Sequence, residues 1–484
     1  MEWILIIGYS FALLIICIFS IEQFNLAMLY RKNQKRQPAA PKPLSAYPHV
    51  TIQLPVFNER YVVERLIDKV CQLNYPKDKL EIQVLDDSTD ETTDLCRAVT
   101  DKWKQKGINI SLVLRAERVG FKAGALAYGL TKAKGEFIAI FDADFLPQPD
   151  FLEKTLSEFE EGIGMVQTKW GHINEDYSLL TKMQAFGLNA HFSVEQTGRA
   201  STGKFMNFNG TAGVWRKVCI EDAGGWQHDT LTEDLDLSYR AQLKGWKFKF
   251  LEGITTPGEL PVIVTAIKSQ QYRWNKGAAE TARKNLGTIL RSKLSVSTKL
   301  HATLHLLNSS VFIWLLLASV ISIPMLVFKS DKPEMQIAYH AGGVFVIGFL
   351  AMAFFYWISS KSNHQLKTLP YYLFNFPIFV MFSMGLSLHN AIAVTEGYLG
   401  IKTPFIRTPK FAIKERGESW KGNAYLSKNL SPLTFLEGLL ALYFSFGLAY
   451  GVYVGDYGLL FFHLFLAAGF GTVFIYSLKP SVNA

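Results

Sequence analysis

The stretch FIAIFDADF, residues 137–145, is an apolar run of strand length that ends in two carboxylates, Asp142 and Asp144, one alanine apart. A strand built for burial has no use for charge, so acids at its end need a reason. Around it, strand and helix alternate. HVTIQLPVF (49–57), LEIQVLDDS (80–88), ISLVLR (110–115) and GEFIAIFDAD (135–144) read as strands. ERYVVERLIDKVCQL (59–73), TDETTDLCRAVTDKWKQK (89–106) and KAGALAYGLTKA (122–133) read as helices, the second opened by Thr and Asp caps. This alternation predicts an α/β, Rossmann-like, mostly parallel sheet whose ligands bind at the carboxyl ends of the strands. Neither a Walker loop nor a dinucleotide G-x-G-x-x-G follows the first strand, and no tandem repeat is visible.

The expected strand ends carry acids. Pro55, Asn58 and Glu59 follow the first strand, Asp86 and Asp87 the second, and Asp142 and Asp144 the fourth. Acids gathered on one sheet edge repel unless something positive sits among them, and a divalent cation on a diphosphate answers that need. Mg²⁺ and Mn²⁺ bind through one or two carboxylates plus substrate phosphates. On an extended backbone alternate residues point the same way, so Asp142 and Asp144 are expected to share one ion. D-x-D triplets are more often solvated loop acids; the buried run before this one sets it apart.

The 484 residues are 49% hydrophobic and 14% aromatic, too apolar for a purely soluble enzyme of this size. Apolar runs flank a region of ordinary composition at roughly residues 45–295. WILIIGYSFALLIICIFSI (3–21) is long enough to span a membrane and carries neither the basic start nor the cleavage pattern of a signal peptide. RKNQKRQPAAPKP (31–43) follows, a basic stretch that places this end in the cytoplasm with Met1 outside. Further apolar runs lie near 305–328, 339–358, 369–394, 433–453 and 457–478. The basic loop GIKTPFIRTPKFAIKERGESWKG (400–422) should share the cytoplasmic side, so one of the three runs before it must fail to cross. The run 369–394, with Asn375, Pro377, Ser383, His389 and Asn390, suits an interfacial or re-entrant helix. Five crossings result, with the C-terminus inside. Cys17, Cys71, Cys96 and Cys219 show neither disulfide nor metal spacing, in keeping with a reducing compartment. The net charge of +9 reads as positive-inside topology rather than nucleic-acid binding.

FNGTAGVWR (208–216), LTEDLDLSYRAQLKGWKF (231–248) and QQYRWNKG (270–277) complete a motif series. With the D-x-D it resembles the family 2 glycosyltransferases of GT-A fold, in particular cellulose synthases and the plant cellulose-synthase-like glucan and mannan synthases. The resemblance covers about residues 48–290, and PFIRTPKF (404–411) extends it. It implies that Asp142 and Asp144 hold the metal, Mg²⁺ or Mn²⁺, and that Asp142 also meets the donor. Asp234, with Glu233 beside it, is implied as the catalytic base. Pro55, Glu59, Asp86, Asp87, Lys122, Gln270 and Arg273 are implied on the donor side, and Asn209, Gly210, Thr211 and Trp274 on the acceptor side. Thr408 and Lys410 match a gating loop of the form F-x-V-T-x-K, from which Ile406 and Arg407 depart.

Each motif has a plainer reading. Glu233 and Asp236 suit a helix N-terminus through its dipole, the QQYRWNKG segment suits an interfacial helix, and a basic loop suits acidic headgroups. Trp170 and His191 sit where the resemblance places acceptor-side residues, but they are given little weight, since aromatic residues pack sheets more often than they line sugar sites. The domains implied are an N-terminal helix (1–30), a basic linker (31–47) and a cytoplasmic GT-A domain (48–260). Interfacial helices (261–300), two transmembrane helices with the re-entrant one (301–395), a gating-type loop (396–432) and two final helices (433–478) complete the chain. The expected product is a processive β-1,4-glucan or mannan from UDP-glucose or GDP-mannose, made by an integral membrane protein (of the inner membrane in a bacterium). Competing readings are a glycolipid transferase with a ceramide or diacylglycerol acceptor and a catalytically silent nucleotide-sugar receptor. Five crossings are few for a channel, a shortfall that a homo-oligomer, an accessory subunit or a product that is not extruded would each explain.

Overall fold

The structure, a computed structural model, describes residues 2–34, 44, 46–331, 342–363, 368–403, 407–420, 423–425 and 430–483. Most of the expected linker 31–47, and Ile406 of the loop, lie outside the described residues. Strands β1 (Val50–Val56), β2 (Leu80–Asp86), β3 (Ile110–Leu114) and β4 (Phe137–Ile140) run parallel in the order β3-β2-β1-β4. Three strands that the sequence pattern did not announce extend the sheet: β5 (Ile163–His172), β6 (Gly213–Arg216) and β7 (Lys247–Gly258). The full order is β3-β2-β1-β4-β6-β5-β7, with β6 antiparallel to β4 and β5, and β7 parallel to β5.

Both faces of the parallel half are buried, as its apolar runs require. Val50, Ile52, Leu54 and Val56 alternate onto one face and pack with Leu66 and Ile67 of the helix Val63–Val70. On the other face Leu85, Ile138 and Ile140 meet Leu126 and Leu130 of the helix Phe121–Lys132. Two buried amides interrupt that face, and Gln53 Nε2 donates to Gln83 Oε1 at 3.1 Å across the paired strands. Gly129 lets the helix lie over this pair: a Cβ there would stand 2.6 Å from Gln53 Nε2. The helix Thr92–Gln105 has Glu91 at its N-cap with no side-chain cap bond, and Asp90 Oδ1, one residue earlier, accepts the Thr92 N–H at 3.0 Å.

The strand ahead of the two acids stops at Ile140, where its pairings with Gln53 and Gly213 both end. Thr211 Oγ1 then accepts the Asp142 N–H at 2.9 Å, and the Phe145 N–H donates to the Asp142 carbonyl at 3.0 Å. The expectation of an extended backbone at Asp142 and Asp144 is therefore corrected: they sit on a turn beyond the strand, although both line the same cavity.

Among the described residues five helices are long and apolar enough to cross a membrane: Trp3–Gln34, Val296–Lys329, Gly343–Asn363, Pro432–Tyr453 and Leu460–Leu478. The run expected not to cross forms two helices, Thr368–Gly385 and Ser387–Leu399, bent by 52°. Small residues seat both halves. A Cβ on Gly385 would lie 2.3 Å from the Gly469 carbonyl oxygen, and one on Gly397 2.6 Å from that of Lys276 in the long helix Val264–Arg291. Gly397→Val is expected to destabilise the protein by about 1–3 kcal/mol through overpacking. Gly253→Ala, with nothing within 4 Å of the added atom, should not. Thermal unfolding in detergent of both variants checks this.

Candidate active site

A cavity of about 230 Å³ opens where β1, β4 and the chain after β2 end. It gathers Pro55, Glu59, Asp87, Lys122, Asp142, Asp144, Asn209, Gly210, Glu233, Asp234, Gln270, Arg273, Trp274, Thr408 and Lys410 from distant parts of the sequence. Two of the residues named from sequence do not line it. Asp86 is buried, and its Oδ1 accepts the Ser88 N–H at 2.9 Å, so it shapes the turn beneath Asp87. Thr211 is fully buried and holds the backbone of Asp142.

The acids of the sheet edge are matched by cations of the chain itself. Lys122 Nζ donates to Asp142 Oδ1 at 2.5 Å and to the Gly210 carbonyl at 2.9 Å. Lys410 Nζ donates to Asp144 Oδ2 at 2.7 Å. Arg407 forks onto Glu59, Nε to Oε1 at 3.0 Å and NH2 to Oε2 at 2.8 Å, the planar geometry that suits a carboxylate. Asp87 takes Arg115 through both oxygens, Nε lying 2.9 Å from Oδ1. Burial disfavours the charge on Lys122 and Lys410, but their carboxylate neighbours, led by Asp142 and Asp144 respectively, outweigh it and raise both pKa values. Burial lowers Arg273 to about 10, still charged at neutral pH.

The helix Glu233–Leu243 aims its first turn at this cavity. Burial, reinforced by the Glu233 carboxylate, pushes Asp234 up to about 7, and burial raises Glu233 as well. Asp236, in the same turn, faces away: Arg240 Nε, Lys284 Nζ and Asn285 Nδ2 donate to it at 2.8, 3.0 and 2.9 Å. Asp236 is thus accounted for by its own side-chain partners, whereas Glu233 and Asp234 both line the cavity. Gly210 has φ +79°, and a Cβ there would lie 3.1 Å from Asp234 Oδ2 and 3.3 Å from Lys122 Nζ. It lies between Asp234 and Lys122, with no room for a side chain.

On the opposite wall Trp274 stands 6.5 Å from Trp170, which stacks on Phe192 at 4.7 Å. Sequence reasoning passed over Trp170 and treated Arg407 only as a departure from a motif. It missed Arg118, His172 and Glu259, which also line the cavity. Glu259 had no local signal: its role is to receive the Phe411 N–H at 2.8 Å while its own N–H donates to Asp144 at 3.2 Å.

Among the described residues no three His, Cys, Asp or Glu side chains converge to hold a metal unaided. Asp142 keeps about a third of its side chain open while Asp144 is nearly closed off. Two carboxylates beside cations form the incomplete oxygen set that Mg²⁺ or Mn²⁺ uses when phosphate oxygens supply the rest.

The mixed seven-stranded sheet with this charged edge agrees with the GT-A arrangement that the sequence resemblance implies. Residues 48–277 match the family model described as glycosyltransferase like family 2. The chain is 45% identical over 264 residues to glucomannan 4-beta-mannosyltransferase 1 of Oryza sativa subsp. japonica, covering 53% of this chain and 51% of that one. It is 46% identical over 255 residues to glucomannan 4-beta-mannosyltransferase 2 of Arabidopsis thaliana, covering 51% and 48%. The chain thus spans about half the length of the curated relatives it matches. Among solved structures, mannosyltransferase PcManGT from Pyrobaculum calidifontis, in complex with GDP-Man and Mn²⁺, aligns at 19% identity and a TM-score of 0.48 over 73% of this chain and 99% of that one.

Gly210→Ala is expected to lower transfer by about 10²-fold by displacing Asp234 and Lys122. Gly203→Ala, equally left-handed at φ +64° but with open space around it, should keep full activity. Initial rates of both purified variants decide the point.

Proposed function

We propose that the chain is a multi-pass membrane hexosyltransferase that moves mannose from GDP-mannose, or glucose from UDP-glucose, to the non-reducing end of a growing β-1,4-glycan. The names of the plant relatives favour mannose. The observation that carries the reading is Asp234, raised to about 7, facing the Lys122–Asp142 pair across Gly210. Asp234 accepts the proton of the attacking hydroxyl as its oxygen bonds to the anomeric carbon. The bond to the diphosphate breaks on the opposite face, so the configuration inverts, and the electron pair leaves with the phosphate oxygen. Lys122, Arg273 and Lys410 neutralise that leaving group, where preorganised cations are worth most. A divalent ion held by Asp142 and Asp144 would add Lewis-acid neutralisation of the diphosphate. Glu59 and Asp87 face the nucleoside, Gln270 and Thr408 flank the donor, and Trp274 with Asn209 receives the acceptor sugar.

The domain boundaries expected from sequence are retained, with the catalytic domain on the cytoplasmic side by the positive-inside rule. Lys268 supports a domain seated on the membrane helices: its Nζ donates to Glu437 Oε2 at 2.6 Å and Ser477 Oγ at 2.8 Å. A second copy or an accessory subunit would complete a path for an extruded polymer.

Membranes containing the protein, given radiolabelled GDP-mannose and UDP-glucose in parallel with Mg²⁺ or Mn²⁺, should place label in ethanol-insoluble polymer. Asp234→Asn should reduce it by about 10²–10⁴-fold. Because the carboxylate is the active form and its pKa is raised, activity should rise with pH through about 7 and fall away below it. Label confined to the lipid extract would instead establish a glycolipid transferase, and full activity in Asp234→Asn would remove the base.

A further inference from the structure

Behind the acceptor wall, residues His191–Glu195 form a π-helical turn between the helices Leu179–Ala190 and Gln196–Ala200. Such turns are rare and recur at functional sites. This one holds a chain of side chains that the transfer chemistry leaves unused. Glu195 Oε2 receives Arg199 NH1 at 3.3 Å and lies 2.9 Å from His191 Nδ1. Arg199 and Glu195 are both largely buried, and a buried ion pair is a costly way to stabilise a fold.

We infer that His191 is a positioning residue for the acceptor sugar, acting through Asn209, with Glu195 fixing its tautomer. This rests on the reading of the cavity as a glycosyl-transfer site. The neutral ring that gives its Nδ1–H to Glu195 keeps Nε2 as an acceptor. That atom lies 3.0 Å from Asn209 Nδ2 and takes one of its two hydrogens. Gln196 Nε2 donates to Asn209 Oδ1 at 2.7 Å, so the amide is held at both ends and cannot flip without setting donor against donor. One Nδ2 hydrogen is left over on a residue that lines the cavity, next to the glycine that touches Asp234. A sugar hydroxyl or ring oxygen beside the reacting hydroxyl is the chemistry it fits. The following residue of the turn, Phe192, backs Trp170 in the same wall, so consecutive residues of the turn support two wall groups.

The test uses the full-length protein in detergent with GDP-mannose and UDP-glucose. Donor hydrolysis without acceptor and transfer to a β-1,4-linked manno-oligosaccharide are measured side by side. His191→Ala should raise the acceptor KM and lower the ratio of transfer to hydrolysis by about tenfold, the scale of one hydrogen bond. His191→Gln, whose Oε1 can stand where Nε2 stood, should recover most of that ratio. Asn209→Asp, isosteric but with an acceptor facing Nε2, should show the same loss as His191→Ala, which keeps the outcome readable where the alanine variant does not fold. Hydrolysis and transfer falling in parallel, or an unchanged acceptor KM, would overturn the role of His191 alone. Wild-type protein that turns over neither donor would overturn the transfer reading and this inference with it.

Discussion

Lys122 on Asp142 and Lys410 on Asp144 are the contacts on which the site depends. Asp144 is nearly closed off while Asp142 stays a third open, and a buried charge such as that of Asp144 without a partner costs several kcal/mol. Both lysines are supplied by the chain, Lys122 from the helix that precedes β4 and Lys410 from a loop 266 residues beyond Asp144. The edge is therefore charge-balanced before any ligand arrives. On the proposed function, a diphosphate would exchange partners with groups already in place, and little reorganisation would be left for the moment of reaction.

The distant lysine has consequences for the rest of the chain. Arg407, Thr408 and Lys410 of its loop line the cavity beside Asp144, fixed by the Arg407 fork on Glu59 and by the Phe411 N–H on Glu259. The helix Pro432–Tyr453 follows that loop, and its Glu437 returns to Lys268 on the helix that carries Gln270, Arg273 and Trp274. On another side of the same helix, Gly397 lets the bent segment press against Lys276. The cavity and the apolar helices thus share one helix as a common wall, which is where a transferase would hand a product toward the membrane.

Much of this could be read from the chain alone, and the failures have physical causes. Strands β1, β2 and β4 announce themselves because nearly all of their residues are buried, and the partly exposed β3 by its short apolar run ISLVL. β6 has only four residues, and β7, KFKFLEGITTPG, is half exposed and carries charge, so neither gives a clean period. The D-x-D was found, but its shape was misjudged, because where a strand stops depends on its neighbours. Asp86 was grouped with Asp87, although consecutive residues at a strand end point to opposite sides and Asp86, the last paired residue of β2, turns inward. Arg407 and His191 stayed hidden because their partners, Glu59 and Asn209, lie 348 and 18 residues away.

The balance of charge at the D-x-D turn is tested most directly by Mn²⁺ binding to the purified protein, followed by electron paramagnetic resonance with and without GDP or UDP. Two lysine-held carboxylates form half a site, so Mn²⁺ should bind weakly alone and at least about tenfold more tightly when a diphosphate supplies the remaining oxygens and draws the lysines away. Equal Mn²⁺ affinity with and without nucleotide would contradict the account.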